Sequence, residues 1–128
     1  MALSASGADA ERDALLKAFE DAIGPYREGR YAESARRLSS LASERPDMPE
    51  VAFYLGMARL MSDEPAAALE PLRAARDSTI LSDEARWYEA IVLERTGRPT
   101  DADAALRPLC DNPGLYSMTA CLILRGDQ

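Results

Sequence analysis

The chain has 128 residues, of which 47% are hydrophobic, and a net charge of −7. This is one domain's length, with enough apolar content to bury a core. The acidic balance repels phosphate backbones and anionic leaflets, which excludes nucleic acid as a partner. No apolar run is long enough to span a bilayer, which excludes direct membrane insertion.

The opening residues, Met1 to Ala8, carry neither a basic segment nor a long apolar one, so they do not read as a secretory signal. They are expected to be a flexible tail, or the edge of a piece cut from a longer protein, with the domain proper spanning 9–128. The first helix is expected to begin near Ala8 to Glu11 and run to Arg27, kinked or broken at Gly24-Pro25, because Pro25 cannot donate to the carbonyl of Asp21. Gly29 ends it, Tyr31 to Glu44 forms its partner, and Pro46 stops that helix. Asp47 and Glu50 form a capping pattern around Pro49 for a third helix, which runs to about Met61.

Asp63-Glu64-Pro65 is a further start signal, for a helix to about Arg76. A linker over 77–81 follows. Ser82-Asp83-Glu84 opens the fifth helix with acidic residues near its positive end, and Gly97 closes it. Pro99 opens the sixth helix, to about Leu109; Asp111 to Gly114 is a turn, and Leu115 to Arg125 makes a last helix. Pro71 and Pro108 fall inside helices, where they are expected to bend the outer layer on its convex side and leave the freed carbonyls to solvent.

Written in blocks of 34 residues from Leu15, Pro49 and Asp83, the chain repeats. The fifth place holds Phe19, Phe53 and Trp87, and the eighth holds Ala22, Gly56 and Ala90. The fifteenth holds the turn formers Gly29, Asp63 and Gly97. The twentieth holds Ser34, Ala68 and Ala102; the twenty-fourth, Leu38, Leu72 and Leu106; the twenty-seventh, Leu41, Ala75 and Leu109. Small residues at two of these places let paired helices approach closely, and the leucines fill the space between pairs.

This pattern resembles the tetratricopeptide repeat over about residues 15–110. The resemblance implies an all-α, right-handed solenoid of helical hairpins with about seven helices: repeats near 15–48, 49–82 and 83–114, then a capping helix near 115–125. It is best in the second repeat. The seventh place departs from it, with Asp21 and Glu89 where Leu is usual. Glu89 is expected to be buried against Arg59 or Arg86.

The resemblance also implies a concave groove lined by the first helix of each pair. By register that lining is Phe19, Ile23 and Tyr26, then Phe53, Met57, Leu60 and Met61, then Trp87, Ile91 and Arg95. Such a lining suits an apolar peptide. The other reading of the same residues is packing between repeats. Arg27, Arg30, Arg59 and Arg95 would form a rim able to choose acidic flanks on a ligand. The fifth and ninth places lack the Lys and Asn with which some tetratricopeptide domains clamp a terminal carboxylate.

Histidine is absent, and no nucleophile, phosphate loop or metal-ligand spacing is present, so neither catalysis nor a cofactor or metal is expected. Cys110 and Cys121 read as small apolar fillers rather than a disulfide. Fourteen of the fifteen basic residues are Arg, which points to a GC-rich bacterial genome. The function expected is protein–protein interaction, as a scaffold or peptide-binding module. The alternatives are an assembly domain of a larger bacterial protein, including a membrane-anchored regulator, and a homodimerisation module. The expected location is cytoplasmic, or periplasmic if the chain is part of a longer protein.

Overall fold

The fifteenth place of each repeat turns the chain. Gly29, Asp63 and Gly97 are the residues with positive φ among those described, at 81°, 65° and 77°. Behind each, the next N–H reaches five residues back: Arg30 to the Pro25 carbonyl at 2.7 Å, Glu64 to Arg59 at 2.9 Å, and Arg98 to Leu93 at 2.8 Å. That is the Schellman closure, which needs a left-handed residue at its corner; glycine supplies one freely and Asp with a small penalty.

A computed structural model describes residues 2–126, with side chains from Gly7 onward. Between these turns lie α1 (Ala2–Arg27), α2 (Tyr31–Glu44), α3 (Pro49–Met61), α4 (Pro65–Ala74), α5 (Ser82–Arg95), α6 (Pro99–Asp111) and α7 (Ser117–Gly126); the turn of 3₁₀ helix Ala75–Asp77 extends α4. The described residues form an all-helical, tetratricopeptide-like stack. Each helix packs on the next, and in the inner layer α1 touches α3 and α3 touches α5.

The repeat places account for the core. The small residues Ala22, Ala68, Ala90 and Ala102 are buried, as are the leucines of the twenty-fourth place and Leu41, Ala75 and Leu109. Gly56 marks the tightest approach. A Cβ built there would lie 2.7 Å from Leu72 Cγ and 3.3 Å from the Ala68 carbonyl oxygen. Ser34 is fully buried because its Oγ donates to the Ala22 carbonyl at 2.8 Å, which joins α2 to α1.

Several expectations are corrected. Helix α1 begins at Ala2, so the segment 2–8 is helical rather than a tail; its alanines favour helix, and only Gly7 opposes it, by about 1 kcal/mol. The helix also runs unbroken through Pro25. Asp47 does not cap α3. Met48 is the cap residue, Pro49 fills the first position, and Asp47 instead accepts from Arg45 Nε and Nη2 at 3.1 and 3.0 Å, which holds its carboxyl below the usual carboxylate range. Asp47 stands one residue too early to reach the free N–H groups of α3.

Pro71 is buried rather than turned to solvent, and the carbonyl it frees, on Ala67, accepts from Arg59 Nη1 at 3.2 Å. Finally, Cys110 of α6 and Cys121 of α7 form a disulfide with their Cα atoms 4.8 Å apart. The sequence separation hid this. The turn at 112–116 folds α7 back on α6 so that an eleven-residue gap closes to bonding distance.

Candidate functional site

The ten residues assigned to the inner face divide by burial rather than by repeat. Ile23, Phe53, Met57 and Leu60 are buried in the core and offer a ligand little surface. For the three of these on α3 the physical reason is that helix's position. It has α1, α2, α4 and α5 around it, and Gly56 lets α4 close in. Phe19, Tyr26, Trp87 and Ile91 are half-buried, whereas Met61 and Arg95 are exposed.

A row of aromatic rings runs across α1, α3 and α5. Tyr54 is its hub, with ring centroids 5.7 Å from Phe19, 6.1 Å from Tyr26 and 5.1 Å from Phe53, all edge to face. Tyr31 extends the row 5.2 Å beyond Tyr26, and Tyr88 continues it 6.2 Å from Phe53. Burial pushes the Tyr26 phenol pKa up, with smaller contributions from Tyr31, Tyr88 and Tyr54. Sequence reasoning missed Tyr54 and Tyr88. The signal was present, since both occupy the sixth place of the repeat, directly after the aromatic fifth.

The inner layer does not close at its far end. α7 packs on α6 but does not meet α5. Between them lies a cleft of about 230 Å³, with Trp87 and Ile91 on the α5 side and Ile123 on the α7 side. Buried Ala90, Ala102 and Leu106 form its floor. Trp87 is held by stacking on Tyr116, with centroids 5.1 Å apart and planes 20° from parallel. The cleft is smaller than the roughly 300–1,000 Å³ of pockets that enclose small-molecule ligands. It has the size for one or two side chains of a longer ligand.

Charge around this face is mostly spent internally. Arg27 pairs with Glu20 at 2.9 Å, Arg30 with Glu28 and Glu33, and Arg95 with Asp63 at 2.9 Å. Arg59 serves the Ala67 carbonyl, so the expected arginine rim is already engaged. Glu89, only 3% exposed, is buried as expected but with other partners: Arg73 Nε lies 3.0 Å from its Oε2 and Arg76 Nη1 3.5 Å from its Oε1. The first is a hydrogen bond. The second is an ion pair without hydrogen-bond geometry. Among the described residues no group of three His, Cys, Asp or Glu converges as a metal site, and no helix is long and apolar enough to cross a membrane.

The fold has solved counterparts. The type III secretion translocator chaperone SycD of Yersinia enterocolitica superposes with a TM-score of 0.72 at 17% identity, over 90% of each chain. The SycD structure in complex with a peptide of the translocator YopD gives 0.76 at 18% identity, over 89% of this chain and 92% of that one. At this identity the likeness is one of fold. No protein-family model and no curated protein matches the sequence.

Proposed function

We propose that the chain is a non-catalytic protein-binding module that holds a peptide or a partner's segment against its inner helical face, with the α5–α7 cleft as the anchoring point. The observation that carries this reading is the open apolar cleft, with Trp87, Ile91 and Ile123 left only partly covered beside a floor of core residues. The aromatic row leads toward it from α1. Aromatic side chains provide large contact area at small entropic cost. Likeness in fold to a chaperone solved with a translocator peptide supports the same reading.

Panning a random peptide library displayed on phage against the whole chain tests it. Enriched peptides should bind the wild type and lose about tenfold in affinity to Ile91→Gln, the loss expected from one apolar contact. Trp87 fluorescence should change on binding. Failure to enrich any peptide, or equal binding by the folded variant, would remove the cleft from the function.

A second reading has its own observation. Met118 is 76% exposed and Leu122, four residues on, is also exposed, so the outer side of α7 carries an apolar pair at helical spacing, with Leu115, 82% exposed, in the turn before it. This favours docking of α7 on another folded surface. Light scattering of the purified chain decides between them. A dimer that Met118→Arg dissolves would move the function to α7.

A further inference from the structure

We propose that the segment held at the α5–α7 cleft is cationic as well as apolar: a large apolar side chain seated between Trp87, Ile91 and Ile123, with a Lys or Arg beside it facing Glu94. This rests on the peptide-binding reading and adds the ligand's chemistry to it. The cleft's charged lining consists of two carboxylates, Glu94 and Asp103, of which Asp103 is already engaged within the protein, and contains no basic residue. Glu94 is exposed. It also stands in the last turn of α5, one residue before the end of the helix. There the negative end of the helix dipole disfavours a carboxylate and attracts a cation.

The neighbouring arginines do not neutralise this position. Arg95 is turned to Asp63 and Arg98 to Asp101, at 2.9 and 2.7 Å. A ligand with acidic flanks would meet this field unfavourably, whereas a basic one would be steered in by it and by the chain's net charge of −7.

The test is the same phage-displayed random library, read for composition. Enriched peptides should carry Lys or Arg within a few residues of a large apolar side chain. A synthetic copy of one such peptide should bind Glu94→Gln about fivefold more weakly than the wild type, as for a partly screened ion pair. Its affinity for the wild type should also fall as salt is raised. Panning on Glu94→Arg should turn the enrichment toward acidic peptides. Because Glu94 is exposed, these variants keep the fold, which circular dichroism checks. Enrichment of neutral or acidic peptides on the wild type, or binding indifferent to both salt and Glu94→Gln, overturns the cationic ligand and leaves peptide binding standing. No enrichment at all overturns both.

Discussion

Arg37 of α2 donates from Nη1 to the carbonyl oxygen of Asp21 in α1, 3.0 Å away, and that oxygen is the one Pro25 leaves without its helical donor. The proline therefore does not break the helix. Its missing hydrogen bond is replaced from the partner helix of the same repeat. Arg59 does the same for Ala67 across from Pro71. Two interior prolines are thus tolerated because an arginine on a neighbouring helix reaches the freed carbonyl, which also ties the two helices together.

A double-mutant cycle tests this pairing. Arg37→Ala should cost about 1 kcal/mol in the wild-type background, the net worth of one hydrogen bond. In Pro25→Ala, the new N–H takes the Asp21 carbonyl, so the same substitution should cost roughly half as much. Arg37 also pairs with Glu33 at 2.9 Å, but that contribution is common to both backgrounds and cancels. Equal costs in the two urea-unfolding series would show that Arg37 acts only through Glu33.

Gly56→Ala tests the close approach at the middle of the stack. On an exposed helix the change would be favourable by about 1 kcal/mol. Here the added methyl meets Leu72 Cγ and Cδ2 at 2.7 and 2.9 Å, and Leu72 is fully buried with nowhere to move. Overpacking of this kind costs roughly 1–3 kcal/mol. The net expectation is a lower urea midpoint with an unchanged slope. A raised midpoint would mean that α4 can back away from α3.

The Gly56 position shows what the sequence made legible. Residues whose role is set by the repeat itself were readable: the small eighth and twentieth places, the leucines, and the left-handed fifteenth place where even Asp63 follows the glycines. Roles set by three-dimensional reach were not. Glu89 was expected to meet Arg59 or Arg86, but Arg59 is drawn to Ala67 by Pro71, and Glu89 takes Arg73 and Arg76 from the end of α4 instead. The groove was only partly legible. Register puts Phe53 and Met57 on the same face as Trp87 and Ile91, but α3 is enclosed by neighbours and α5 is open toward α7. The cleft depends on where the last helix stops short, which no periodicity encodes.

Glu89 should show an asymmetry between its two sides. Its carboxylate is 4% exposed, while Arg73 and Arg76 are 41% and 36% exposed in their side chains. Replacing both arginines by Met strands a buried charge, and the expected loss is roughly 3–5 kcal/mol. Glu89→Leu instead restores the residue usual at the seventh place and leaves two arginines that can turn to water. Its expected effect lies between neutral and about 2 kcal/mol stabilising. Thermal melts of the two variants decide the matter. Comparable losses in both would mean that the ion pairs, rather than the avoided burial of a lone charge, hold α4 to α5.

The Cys110–Cys121 bond makes the last helix conditional. It closes a loop of about a dozen residues, for which chain-entropy arguments give about 2–3 kcal/mol of stabilisation. α7 has only Ala120 and Leu124 buried among its described side chains, so the bond is a large part of what keeps it on α6. Thiol alkylation read by mass should be blocked before reduction and complete after it. Reduction, or Cys110→Ser with Cys121→Ser, should lower the melting temperature and raise amide exchange over 117–126. Exchange in α3 should stay as it is, because it belongs to the repeat before the one that carries Cys110 and its core clusters contain neither cysteine. The cleft should loosen with α7, since Ile123 is one of its walls, and a bound peptide should dissociate faster from the reduced protein. Such bonds persist where thiols are not kept reduced. Unchanged exchange in α7 after complete reduction would show that Ala120, Leu124 and the Trp87–Tyr116 stack hold the helix without the bond.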